Sequence, residues 1–232
     1  MNLKVIAFDA DDTLFINEPY FEETEKKFCG IMEDYLSHQS ISQELFNTQV
    51  NNLPLYGYGI KGYILSMIEA AVKISEGTLT VNSIQKIINL GKELTQKPIV
   101  LLEGVEQTLS ALQGHYKLVV ATKGDLKDQH RKLHDSGLGH YFHHIEVMSD
   151  KKAIDYRKLI KRLDIAPEEF YMIGNSLKSD VLPVLEIGGH ACHVPFHTTW
   201  AHEMIDHNVE HENFSEIANI TEVLSLLLPK SA

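Results

Sequence analysis

Only two cysteines and one tryptophan occur in the 232 residues, and 21 lysines and arginines face 32 aspartates and glutamates. Each shortage removes a class of function. Cys29 and Cys192 lie far apart and form no C-x-x-C, so no thiolate metal site or redox pair is expected, and both read as reduced, partly buried thiols. A formal net charge of -11 argues against nucleic acid or an anionic membrane as partner, since both need a basic surface. No run approaches the ~18 apolar residues that cross a bilayer. The start, MNLKVIAFDADD, turns acidic where a secretory signal would stay apolar, so a cytoplasmic protein is expected. Internal repeats and low-complexity stretches are missing too.

A hydrophobic share of 44% suits one domain, or a core with an insert. After a strand-like run at 4–8, apolar residues over 16–97 recur at helical spacing. PYFEETEKKFCGIMEDYLSH opens with Pro19 and places Phe21, Phe28, Ile31 and Tyr35 near one face. Beyond Pro98, strands (KLVVAT, HHIEVM, EFYMIG, ACHVP) alternate with single helices across short connections. That order predicts an α/β fold: a Rossmann-like parallel sheet core (1–15 and 98–232) with an inserted all-α cap domain (16–97).

Ligands of such sheets sit beyond the carboxyl ends of the strands, and four of those ends carry suggestive residues. They are Asp9, Asp11 and Asp12 in FDADDTLF; Thr122 and Lys123 after KLVVA; Lys151 and Lys152 after HHIEVM; and GNSLKSD, ending at Asp180. Three carboxylates within four positions repel one another unless a cation compensates them. Asp9 and Asp11, two apart in an extended segment, leave the backbone on one side and can converge on one reacting centre. One carboxylate can then act as nucleophile and the other as proton donor and acceptor. A carboxylate attacking a phosphoryl group needs cations around it: Mg2+ on Asp9, Asp180 and a backbone carbonyl, and a lysine from the third strand end.

With these four motifs the chain resembles the haloacid dehalogenase (HAD) superfamily of hydrolases with an α-helical cap. DADDT is similar to that family's DxDxT, which implies Asp9 as nucleophile, Asp11 as general acid and base, and the Asp11 carbonyl as a Mg2+ ligand. VVAT implies a phosphate-binding Thr122, and SDKKAIDY a charge-stabilising lysine, with Lys151 preferred to Lys152 for its spacing to Tyr156. GNSLKSD resembles the acidic metal-binding motif, and implies Asp180 as principal metal acid beside Asp9, with Asn175 holding a metal-bound water or ligand. Two positions depart from the family: Asp12 stands where glycine is common, its side chain expected in solvent or capping a turn, and Asn175 stands where an acid is common. Lys123 is expected to be a solvated charge.

The implied activity is Mg2+-dependent hydrolysis of a small phosphorylated metabolite by a monomer or homodimer. A 2-haloacid dehalogenase, a phosphomutase or a non-catalytic binding module on the same fold are the alternatives. In the cap, Gly57, Gly59 and Gly62 break one helix and begin another, making Lys61 a substrate-binding candidate; otherwise the stretch is a helix connection with Tyr56, Tyr58 and Tyr63 as core. HVPFHTTWAHE gathers His193, His197, Trp200, His202 and Glu203 but lacks HExxH. It is therefore read as a loop at the active-site edge packed by Trp200, with no zinc. Thirteen histidines make the surface charge sensitive to mild acid.

Overall fold

The computed structural model describes residues 2–228. Two compact units emerge, one formed by Met1–Ile16, Ile99–Lys123 and Gln129–Ala232, the other by Asn17–Pro98 and Gly124–Asp128.

The first unit is built on a six-stranded sheet. Its strands are β1 (Val5–Phe8), β2 (Lys117–Lys123), β3 (His144–Met148), β4 (Phe170–Gly174), β5 (His190–His193) and β6 (Phe214–Glu216), in the order β3-β2-β1-β4-β5-β6 with every neighbour parallel. The unbroken apolar run VIAF is what a central strand covered on both faces requires, and all four of its residues are fully buried. Alternate residues feed two cores. Ile6, Phe8, Leu118, Val120 and Ile173 pack with Val105, Leu109 and Val223, whereas Val5, Ala7, Val119, Phe170 and Met172 pack with Tyr156, Leu159 and Val184. From β1 the chain winds outward through β2 and β3, then returns to build β4, β5 and β6 on the other side. The reversal lies between β1 and β4, where doubly wound sheets open a ligand crevice. The strand β6 is one that composition did not flag: it is three residues long, at an edge, and only half-buried.

Four helices make up most of the second unit: α1 (Glu18–Met32), α2 (His38–Tyr56), α3 (Ile60–Ile74) and α4 (Val81–Thr95). Ser37 and Thr80 cap α2 and α4 by accepting from the backbone N–H of Ser40 (3.3 Å) and Ser83 (3.1 Å). Phe28, Met32, Ile41, Leu45, Met67 and Ile87 form its core. Each such side chain taken from water contributes about 1.5–3 kcal/mol before entropy is counted. Gly57 ends α2 at φ 72° and Gly59 starts α3 at φ 119°, conformations that side-chain-bearing residues rarely adopt. Of the tyrosines around them, Tyr63 is core and packs on Phe21 with ring centroids 5.1 Å apart, but Tyr56 is exposed, which corrects its expected burial. Lys61, on the first turn of α3, is exposed and paired with Asp125 at 2.7 Å. Among the described residues no helix is long and apolar enough to cross a membrane.

Candidate active site

Asp9 follows β1 directly, and its backbone N–H donates to Ile173 O of β4 (2.9 Å), which seats the carboxylate at the sheet's reversal point. The following residues turn tightly. Asp12 takes φ 60°, and its N–H donates to Phe15 O at 2.8 Å. That left-handed conformation favours glycine and is tolerated by aspartate, which gives the unusual residue here a backbone reason. Asp12 is buried, so the expectation that its side chain reaches solvent does not hold.

Lys151 lies between β3 and α5 (Ala153–Leu163), the helix that carries Tyr156. Its ammonium donates to Asp9 Oδ1 and, at 2.6 Å, to Asp180 Oδ1, with all three residues buried. Lys152 points outward and pairs with Asp150 at 2.9 Å, so Lys151 is the lysine that reaches the site. Burial alone would lower the Lys151 ammonium, but Asp180 and Asp9 outweigh it and hold it well above its ordinary value. One ammonium cannot neutralise two buried carboxylates: burial pushes Asp9 up to about 7 against the pull of Lys151, and the charge of Asp180 adds to the rise.

GNSLKSD leads into a wide π-helical turn, Leu177–Val181, ahead of the short helix α6 (Leu182–Glu186). Pro183 supplies a reason. It has no N–H for the Ser179 carbonyl four residues back, and the Tyr156 hydroxyl donates to that carbonyl instead, at 3.0 Å. The turn brings Asp180 back over β4, where its Oδ2 accepts from Ser176 N–H at 3.0 Å. A Cβ on Gly174 would stand 2.2 Å from that Oδ2, so only glycine admits it.

Asp180 thus spends both oxygens on Lys151 and Ser176. Asn175 occupies the other side: its side-chain amide nitrogen donates to Asp9 Oδ2 (3.3 Å), to the Asp11 carbonyl (3.2 Å) and to Thr13 Oγ1 (3.2 Å). His193 braces the same loop, with Nε2 3.0 Å from Asn175 O and Nδ1 2.7 Å from Glu216. Among the described residues, no three His, Cys, Asp or Glu side chains cluster to hold a metal. The oxygens that converge on this amide are Asp9 Oδ2 and the Asp11 carbonyl, a hard pair that fits Mg2+ and that the Asn175 side-chain oxygen would join on turning the amide over.

The side chain of Asp11 meets two partners that sequence reasoning missed. Gln129 Nε2 and Lys132 Nζ each donate to it at 2.8 Å, both from the buried face of the helix Leu126–Asp135. Their spacing of three on a helix was the available signal. Thr122, wholly buried near the end of β2, donates its hydroxyl to Lys123 O at 3.2 Å. Lys123 is not the solvated charge expected: it is largely buried against Glu203 (2.6 Å) and donates to Ser179 Oγ (2.9 Å). Burial would raise Glu203, but Lys123 and then the hydroxyls of Ser176 and Ser179 hold it down, to about 2. Nothing in the sequence links residues 80 positions apart. Three carboxyl groups, Asp9, Asp11 and Asp180, thus face two ammonium groups, Lys151 and Lys132.

A family model of haloacid dehalogenase-like hydrolases matches residues 3–188. Of solved structures, a haloacid dehalogenase-like family hydrolase from Xanthomonas campestris is 34% identical with a TM-score of 0.87, over 97% of this chain and 92% of that one. A HAD phosphatase from Thermococcus onnurineus (20% identity, TM-score 0.61) and a 2-haloacid dehalogenase from Pseudomonas syringae pv. tomato (17%, 0.64) each cover 97% of this chain and 98% of their own. These two share the fold. A search of curated proteins finds no match. With four strand-end motifs on a parallel sheet and a family match that spans most of its length, the chain belongs to the haloacid dehalogenase-like hydrolases.

Proposed function

We propose that the protein is a Mg2+-dependent phosphatase that cleaves a small phosphate monoester through an aspartyl-phosphate on Asp9. The observation that carries this reading is the convergence of Asp9 Oδ2, the Asp11 carbonyl and the Asn175 amide beside a lysine-bridged pair of buried carboxylates. In this reading Asp9, the Asp11 carbonyl and Asn175 hold the metal, and Asp180 fixes Lys151. That reverses the roles expected of Asn175 and Asp180. When bound, Mg2+ offsets the repulsion between an anionic nucleophile and an anionic substrate.

Asp9 attacks phosphorus, forming a carboxyl oxygen–phosphorus bond as the bond to the leaving oxygen breaks. Protonated Asp11 gives its proton to that oxygen. In the second step Asp11 takes a proton from water, whose oxygen bonds to phosphorus as the bond from phosphorus to the Asp9 carboxyl oxygen breaks, releasing inorganic phosphate and restoring the aspartate. Lys151 and the Thr122 hydroxyl bind phosphoryl oxygens, and Gln129 and Lys132 orient Asp11 between the steps.

A 2-haloacid dehalogenase reading rests on the same nucleophile attacking carbon with loss of halide. It leaves the held Asp11 and the oxygen cluster at Asn175 without a task. Hydrolysis of p-nitrophenyl phosphate with Mg2+, with EDTA, and by Asp9→Asn, run beside halide release from 2-chloropropionate, separates the two. Phosphatase activity that needs metal and Asp9 is expected; halide release unaffected by EDTA overturns the proposal.

A further inference from the structure

One buried acid of the sheet unit has no part in the reaction proposed above. Glu203 ends a short turn, Ala201–Glu203, in the segment after β5, and its side chain is only 13% exposed. Its Oε1 accepts from Lys123 Nζ at 2.6 Å, and its Oε2 accepts from the hydroxyls of Ser176 at 2.7 Å and Ser179 at 2.5 Å. Lys123 in turn donates to Ser179 Oγ at 2.9 Å, and one residue before Glu203 the His202 carbonyl accepts from Lys178 Nζ at 2.5 Å. Three segments distant in sequence therefore close on one carboxylate: the end of β2, the π-helical turn and the segment after β5.

Backbone bonds hold the turn locally, with Asp180 N–H donating to Ser176 O at 2.8 Å, but its serine hydroxyls are fixed from outside. Pro183 removes an N–H from the helix that should follow, and among the turn's own anchors are Leu182 N–H on Leu177 O, Ser179 N–H on Ser176 Oγ at 3.0 Å and Ser176 N–H on Asp180 Oδ2 at 3.0 Å. Yet Asn175 precedes this turn and Asp180 lies within it, so its placement sets both the amide facing Asp9 and the carboxylate that aims Lys151. A fully accepted, ionised carboxylate makes hydrogen bonds roughly twice as strong as neutral ones, which suits it to hold serine hydroxyls rigidly.

We propose that Glu203 is a positioning residue that acts through Ser176, Ser179 and Lys123 to lock the π-helical turn, and with it Asn175 and Asp180, in register with the end of β2. Its importance for turnover rests on the phosphatase reading; its hold on the turn does not.

Glu203→Ala and Glu203→Gln, with Glu203→Asp as the conservative control, are compared with wild type by amide hydrogen exchange over Ser176–Val181, Mg2+ affinity by calorimetry, and kcat and KM on p-nitrophenyl phosphate. Trp200, the sole tryptophan, lies tilted against His202 with ring centroids 4.9 Å apart and reports by fluorescence whether each variant folds with its loop seated. Expected for Glu203→Ala is exchange of the turn at least ten times faster with β1 and β4 unchanged, Mg2+ bound at least five times more weakly, and a tenfold lower kcat at a KM within twofold, with Glu203→Asp recovering part of each. Unchanged exchange in the turn, or faster exchange with Mg2+ affinity and kcat within twofold of wild type, overturns the proposal. Should the wild type neither bind Mg2+ nor hydrolyse the ester, the phosphatase reading fails, and the exchange contrast alone decides whether Glu203 holds the turn.

Discussion

The Lys151 ammonium lies 2.6 Å from Asp180 Oδ1 while it also donates to Asp9, and all three side chains are nearly sealed from water. Removing one member leaves a buried charge uncompensated, which costs about 3–5 kcal/mol. Lys151→Met, which leaves two carboxylates facing each other, is expected to lower unfolding free energy by about that amount in urea titrations at pH 7 and to abolish turnover. Asp180→Asn keeps the shape and the Ser176 contact, and is expected to lower kcat more than stability.

Gly174→Ala tests the close approach of the π-helical turn. The added Cβ meets Asp180 Oδ2 at 2.2 Å, so the turn must shift. Overpacking of this kind costs about 1–3 kcal/mol. Urea midpoints should show that loss, and kcat should fall at least tenfold because Asp180 no longer aims Lys151; an unchanged kcat would separate the two residues.

Glu203 makes stability depend on acidity in a stated direction. Its folded value is held to about 2 from an ordinary 4.5, so the ionised form stabilises the fold above pH 4.5 and that contribution is lost as pH falls toward 2. At ~1.4 kcal/mol per pH unit, the gap between wild type and Glu203→Gln should reach about 3–4 kcal/mol at pH 7. Urea titrations at pH 7, 4 and 3 should find the gap narrowing with acid, and a gap constant with pH would exclude ionisation as its source.

Asn175 offers a test of the metal assignment. Asn175→Asp adds an anionic oxygen beside Asp9 and is expected to tighten Mg2+ at least tenfold, whereas Asn175→Ala removes a donor and should weaken it by about 10–100-fold. Calorimetric titration with Mg2+ measures both. Equal affinities in the three proteins would place the metal away from this amide.

The strand ends were legible because period and type change together. VIAF is apolar on both faces, DADDT is too acidic for a plain turn, and alternation after Pro98 can fold only as crossovers. Lys151 could be preferred to Lys152 by its spacing to Tyr156, and Lys152 is indeed exposed on Asp150. What the sequence hid were contacts made across long separations: Glu203 with Lys123, Lys132 with Asp11 and His193 with Glu216. Nothing local marks a buried ion pair, so Lys123 read as solvated. The placement of Asp180 against Lys151 and Ser176 depends on a π-helical turn, and periodicity at 3.6 residues does not register it.

The central claim is that Asp9 carries the phosphoryl group. Its most direct test is rapid acid quench of the protein during p-nitrophenyl phosphate turnover with Mg2+, followed by mass spectrometry of the peptide spanning Phe8–Phe15. The account predicts one phosphoryl adduct on Asp9, enriched in Asp11→Asn because its acyl phosphate is hydrolysed slowly, and absent in Asp9→Asn. Turnover with no adduct on Asp9 in either wild type or Asp11→Asn, or an adduct on another residue, would contradict it.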